Sequence, residues 1–469
     1  MKEGAKGDMQ NNQGEIQLRA EIERGISESG MTLSEFSVYT GINRGIFSAM
    51  FKAGSPKPIS LNQLERIAQG LGKPEGWMFE SYVEECFFGG KPNRRRVEPF
   101  LIRCAELGKI DCIEEVLNRL IEDPRQIDQI FEWAEQLYIQ GYMEQSMVFY
   151  RRVVKHEKYH QSERLAISQY RIFLASVGED NEQNLCAAIE FEPFCDKLPD
   201  RYRIDAIMRL FDVYFMLEKI GKADYYALEL HEFAQKLYDL QEAYAHRNGT
   251  YPELELFKPL VVYYGYSYLG RGSVLFRKGR FHEALSCNEG YADLSWFPNQ
   301  NEEARIQIAR FAKYARQNEV HIKLLIGQDI QETILRCVEI LEQDPAETLV
   351  SLFFLLRAAD LHGLDITSIL DRFEQQFAEA LGEQASYPRH HLLNRYEGVC
   401  FEMARYFFAR DQWDKAYDRL LCGLNVAIAI NDREMFAKCI PLFEKYRRFA
   451  GETHLRHYGE LLENVKCGC

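Results

Sequence analysis

Residues 41–54 read GINRGIFSAMFKAG. Within this stretch Arg44 is the side chain with the most specific chemistry. Its planar guanidinium can give two parallel hydrogen bonds to the N7 and O6 edge of a guanine, or one fork to a phosphate. Asn43 and Ser48 add short donors and acceptors nearby, and Lys52 and Lys57 add point charges. Further on, KPNRRR over 91–96 sets Arg94, Arg95 and Arg96 in a row. None of these residues is a nucleophile with a base beside it, so the chemistry on offer is recognition of an anion or a base edge.

Motifs for catalysis are missing elsewhere too. The chain has no P-loop, no HExxH and no nucleophile elbow, and no glycine-rich strand-to-helix turn opens a dinucleotide fold. GYSYLGRGS contains three glycines but lies within a helical pattern. His156 and His160 share a helix face without a third ligand at fixed spacing. Cys467 and Cys469 make a close pair at the end of the chain, and two ligands are too few for a zinc site. No catalytic residues, metal or cofactor are therefore expected, and the chain reads as a non-enzyme.

The elements that carry these residues follow from periodicity. Apolar residues recur at intervals of three and four, and Pro is scarce at 14 in 469 residues, which predicts an all-α fold. No apolar run nears the roughly 20 residues that cross a bilayer, so no membrane association is expected. The start, MKEGAKGDMQNNQGE, lacks the apolar stretch of a signal peptide. Most of the 12 Cys sit within apolar helical patterns, where a thiol acts as a small buried hydrophobe. A cytoplasmic location is the expectation.

Charge divides the chain. Residues 1–96 carry 13 Lys/Arg against 12 Asp/Glu, while the remainder carries 44 against 59, so the overall −14 belongs to the body. A near-neutral head can still bind phosphates, since the field at the contact face decides.

The expected organisation is a disordered segment over 1–14, a helical head over 15–90, a basic linker over 91–97 and a helical body over 98–469. In the head, Ile16, Leu18, Ile22 and Ile26 mark a first helix. Thr32 opens TLSE, a capping box, ahead of a helix over Leu33–Tyr39. Gly41 supplies a left-handed turn, Asn43 caps Arg44–Lys52, Ser60 caps LNQLERIAQGLG, and GWMFESYVEECFF forms a fifth helix.

This order, carried by LSEFSVYTGINRGIFSAMFKAG and ISLNQLERIAQGLGKPEGW, resembles the Cro/repressor-type (XRE-like) helix-turn-helix family over residues 16–85. Phe36, Ile42, Phe47 and Met50 fall where that family has core residues. The resemblance implies binding to double-stranded DNA, with the start of the third helix facing base edges. By position those residues are Asn43, Arg44, Gly45, Ser48 and Ala49, with Lys52 further along. Gly45 and Ala49 offer no polar group, which leaves base reading to Arg44, Ser48 and duplex shape. Lys57 and Asn62 would hold phosphates. The Arg94–Arg96 run either tracks the phosphate backbone or serves as a soluble linker.

The body reads as stacked helical hairpins. EGVCFEMARYFFARDQWDKAYDRLLCGL, GYSYLGRGSVLFRKGRFHEALS and IDQIFEWAEQLYIQGYMEQSMVFY place small residues where two helices touch and aromatics around a turn. They resemble the tetratricopeptide repeat, which implies a right-handed superhelix with a concave binding face. Their spacing is not a multiple of the repeat length of about 34 residues, so the intervening hairpins must diverge.

A head and body of these two kinds together resemble the RRNPP family of peptide-pheromone receptors, including the arbitrium receptors of phages. FAKYARQNEVHIKLLIGQ and LFFLLRAADLHGLDITSILDRFEQQF add to that likeness. The resemblance implies a transcriptional regulator that senses a short signalling peptide in its concave groove and changes its DNA binding. A groove that holds a peptide backbone needs Asn and Arg side chains on inner helices. Asn288, Asn318, Arg357, Asn394 and Asn425 are the candidates by residue type and placement. Two alternatives stay open: a body that binds a protein partner, and a body that only dimerises the regulator. A homodimer is expected in either case, with FARDQWDKAYDRLLCGLNVAIAI as the apolar interface.

Overall fold

Why the head residues form short, abrupt helices is visible in their caps. In the computed structural model, which describes residues 17–157, 162–298, 300–382 and 388–465, helix α1 covers 17–28. Then come α2 (Leu33–Thr40), α3 (Arg44–Met50), α4 (Leu61–Gly70) and α5 (Phe79–Cys86). Thr32 and Glu35 form the expected capping box, and Ser60 forms a second one with Gln63. The Asn43 side chain accepts from the Gly45 amide and starts α3. Between α2 and α3, Gly41 has φ +65, and a Cβ there would meet the flexible end of the Arg66 side chain. The left-handed backbone is what favours glycine at this turn.

Beyond the head come α6 (Arg94–Glu106), α7 (Ile110–Leu120), α8 (Ile127–Ile139), α9 (Met143–His156) and α10 (Glu163–Ser176). The basic linker expected over 91–97 is a helix start instead. Asn93 caps it by accepting from the Arg95 amide, and Val97, Phe100, Leu101 and Cys104 bury one stripe of α6. Phe100 packs on Phe79 and Tyr82 with ring centroids 5.2 and 5.1 Å apart. One apolar core therefore runs from Leu18 through Phe100 to Val153, and the first compact unit extends to Ala175.

The second unit, Ser176–Cys469, contains α11 (Asn181–Phe191), α12 (Asp200–Met216), α13 (Ile220–Asn248), α14 (Leu260–Arg277), α15 (Phe281–Ala292) and α16 (Glu302–Ile326). These are followed by α17 (Ile330–Gln343), α18 (Thr348–His362), α19 (Thr367–Arg372) and α20 (Glu374–Ala378). Last come α21 (Arg389–Phe408), α22 (Trp413–Ala429), α23 (Arg433–Tyr446) and α24 (Glu452–Glu463). Successive helices from α12 to α16 pack on their chain neighbours, as do α21 and α22. No strand occurs among the described residues, and no helix is long and apolar enough to cross a membrane. The segment 1–14, His160, Cys467 and Cys469 lie outside the described residues.

Small residues sit where close helix contact requires them. Ala404 of α21 and Ala416 of α22 are fully buried, and the open side of Gly272 on α14 faces the Ala284 carbonyl of α15. Leu420, Leu421, Leu424 and Ala427 of α22 are also buried, among helices of the same chain that include α21, α23 and α24. The apolar stretch expected to form a dimer interface thus spends those residues on its own fold.

Turns between helices recur in one form. A residue with positive φ donates to the carbonyl three back, and the next residue donates to the carbonyl five earlier. Gly72, Gly108, Gly141, Glu218, Gly279, Gly327, Asp411 and Asn431 all stand at the first of these positions. The pair of bonds satisfies carbonyls that the helix end leaves open.

Candidate functional sites

The α3 surface is held from beneath by a buried ion pair. Arg19 of α1 donates to Glu85 of α5 at 2.6 Å, to the Met50 carbonyl at 3.1 Å and to the Lys57 carbonyl at 3.0 Å. Glu85 in turn accepts from the Ile59 amide at 2.7 Å. Tyr82 donates its hydroxyl to the Ile59 carbonyl at 3.0 Å. The end of α3 and the loop after it are thereby fixed by a fully satisfied polar cluster, which a low-dielectric interior rewards.

On the outer side, Asn43, Arg44, Gly45 and Ser48 are exposed and Ala49 is half-buried. Phe47 and Met50 face the core. Lys52, Lys57 and Asn62 are exposed as well, and the Lys57 amide donates to the Ala49 carbonyl at 2.8 Å, which holds the loop against α3. Ile46 is 39% exposed, an apolar contact point that polar-residue searching overlooks. The three arginines of α6 differ from one another. Arg94 pairs with Glu98 at 3.0 Å, Arg95 is exposed, and Arg96 turns over the Phe88 ring at 6.0 Å. Arg94 and Arg95 line a shallow groove with Leu61, Arg103, Glu98 and Glu106, and Asn62 follows Leu61 in the chain.

In the second unit the five candidate groove residues do not form one cluster. Asn288 is buried and donates to the Ala315 carbonyl at 2.8 Å, and Asn318 donates to the Tyr291 hydroxyl at 2.9 Å. Both tie α15 to α16, and the Asn288 Oδ1 is buried without a hydrogen-bond partner. Arg357 reaches Glu402 of α21 at 3.3 Å. Asn425 is exposed on α22.

Asn394 belongs to a polar seam. It accepts from Asn181 at 2.8 Å and donates to the His390 carbonyl at 2.8 Å. Asn181 also donates to Asp432 at 3.0 Å, and its amide donates to the Ile430 carbonyl at 2.8 Å. Lys438 meets Glu218 at 3.1 Å, Lys219 approaches Glu434 at 3.7 Å, and Arg389 meets Glu179 at 3.2 Å. Hydrogen bonds and ion pairs thus join the early helices α11–α13 of the unit to the late helices α21–α23. Glu397, buried beside Asp432, has its pKa raised to about 10, first by burial and then by that neighbouring carboxylate. It is therefore a neutral acid at physiological pH.

A second polar group lies on α12, α14 and α21. The Tyr266 hydroxyl donates to Asp212. Burial raises Asp212 to about 6 against the pull of that hydrogen bond and of Arg209. The adjacent His390 and His391 rings are 4.4 Å apart, and burial, with Arg395 and Arg209 nearby, lowers His391 to about 3. No cluster of three or more metal-ligating side chains occurs among the described residues.

No protein-family model matches the chain, and no curated protein matches it.

Proposed function

We propose that the chain is a DNA-binding transcriptional regulator. In this reading α1–α5 are a Cro/repressor-type helix-turn-helix, and the helices from α6 onward are a tetratricopeptide-like body that senses a short peptide and alters DNA binding. The observation that carries the DNA half is the α3 surface. A capped helix presents Arg44 and Ser48 outward while Arg19 and Glu85 anchor its end, the arrangement a major-groove reader needs. The peptide half is supported by the seam, where polar contacts that water can replace join early and late helices. Such contacts make a two-state element that a ligand can bias.

The protein acts in this reading as a cytoplasmic homodimer, since one small head buries too little surface for tight specific binding. A second reading, a body that binds a protein partner, is favoured by Leu240 and Tyr244. These lie one turn apart on α13 and are 56% and 47% exposed.

The deciding experiment is calorimetry of the full chain with short peptides encoded beside its gene, run with and without its operator duplex. A cognate peptide should bind, and DNA should shift its affinity by the factor by which the peptide shifts DNA affinity. If no peptide binds and a pull-down recovers a stoichiometric protein partner through α13, the second reading replaces the first.

A further inference from the structure

Two cations from two helices hold one carboxylate, and a third acts on it through its field. Glu218 is met by Arg277, the last residue of α14, at 2.9 Å and by Lys438 of α23 at 3.1 Å. Arg357 of α18 adds its field. Burial alone would push the Glu218 pKa up, but Arg277, Lys438 and Arg357 together bring it below the ordinary value. The cations are positioned without Glu218. Arg277 lies over the rings of Phe215, Phe276 and Phe353 at 5.7, 5.9 and 5.5 Å, and Arg357 is held by Glu402. Solutes can reach them, since the side chains of Arg277, Lys438 and Arg357 are 32%, 38% and 39% exposed.

Glu218 is also an unusual choice for its position. Its φ is +54, and the other described residues at this place in the recurring turn, Gly72 and Gly327 included, are all Gly, Asp or Asn. A left-handed backbone costs a residue with a long side chain about 1 kcal/mol. The turn itself gains nothing from a glutamate. What the glutamate adds is a carboxylate among the three cations.

We propose that Arg277, Arg357 and Lys438 form a receiving site for a carboxylate of a bound peptide, and that Glu218 fills this site until such a group displaces it. The inference rests on the peptide-sensing reading above. Two guanidinium forks and an ammonium suit a carboxylate, whereas an amide brings no charge to them. Exchange of one carboxylate for another leaves the local charge unchanged, so Glu402 and Glu434 need not move. The consequence is mechanical: Glu218 ties the α12–α13 turn to α23, so its displacement releases one link of the seam. Ligand chemistry is thus converted into a change of helix arrangement.

The test uses the full chain and four hexapeptide pools, with one internal position set to Glu or Gln, the carboxyl end free or amidated, and the other positions randomised without Asp or Glu. This separates an acidic side chain from a terminal carboxylate as the group received. Apparent affinities are measured for the natural chain, Glu218→Gly, Glu218→Gln and Arg277→Gln. Glu218→Gly suits the positive φ and keeps the turn. At least one carboxylate-bearing pool should bind better than the pool lacking both carboxylates. Both Glu218 variants should raise its affinity roughly tenfold, as expected when an internal competitor that holds the site about nine-tenths of the time is removed. Arg277→Gln should remove the preference. If pools bind but acid and amide bind alike in every variant, the carboxylate site is wrong and the peptide reading stands. If no pool binds any form of the chain, both fail.

Discussion

Arg19 and Glu85 stand 66 residues apart in the chain and meet at 2.6 Å, with Glu85 fully buried. Their contact is what connects α1 and α5 to the loop behind the α3 surface. Because both charges have left water, removing one leaves the other uncompensated, at about 3–5 kcal/mol. Glu85→Ala should therefore lower the melting temperature strongly and weaken DNA binding with it. The double change Arg19→Met with Glu85→Leu should recover much of the stability, because it buries no charge. If the double variant melts no higher than the single one, the pair's role lies in its hydrogen bonds to Met50, Lys57 and Ile59, not in its charges.

Arg44 is exposed and extends from a capped helix start. Arg44→Ala should cost roughly 1–3 kcal/mol of specific binding and relax the preference at one base pair. Arg95→Ala should weaken all duplexes alike and reduce the salt slope by about 1. Arg96→Ala should leave the slope alone, since that side chain turns over Phe88. Titration of operator and scrambled duplexes at several salt concentrations separates the three, and an Arg44→Ala chain with unaltered sequence preference removes Arg44 from the reading surface.

Gly41 offers a test of the turn that aims α3. Its φ of +65 opposes a side chain, and a Cβ would also require the end of Arg66 to shift. Gly41→Ala should destabilise by about 1 kcal/mol or more, seen as a lower melting temperature. Gly30, with φ +72 and nothing within 4 Å, should respond less. Equal effects at the two sites would show that backbone conformation alone matters.

Glu397 sets a pH dependence whose sign can be worked out. Its folded pKa is raised from 4.5 to about 10, so between these values the folded chain holds a proton that the unfolded chain has released. Stability from this group falls as pH rises through that window. Glu397→Gln keeps the neutral shape. It should flatten the loss of stability between neutral and alkaline pH, measured as melting temperature against pH. An identical slope in the variant would mean that Glu397 is ionised in the folded state.

Local chemistry was readable in the sequence where it was local. Thr32 with Glu35, Ser60 with a cap, Asn43 before Arg44 and Gly41 at the turn each act over a few residues, and each stands where its spacing predicts. The α6 start was missed although Asn93, its cap, follows Pro92 directly. The Arg run signals charge, while the buried stripe of Val97, Phe100, Leu101 and Cys104 decides the structure. Arg19 with Glu85, and Asn181 with Asn394 at a separation of 213 residues, carry no signal in spacing, because folding brings them together. Glu218 did leave a trace: a long acidic side chain at a turn position that elsewhere takes Gly, Asp or Asn.

That recurring turn also bears on how such a chain can change length. Each copy closes with the same two backbone bonds whichever residue fills it, and it asks only for a tolerated left-handed backbone. A cut and rejoining between two such turns restores the same junction geometry. A hairpin inserted or removed between two such turns would therefore meet its neighbours through an unchanged joint.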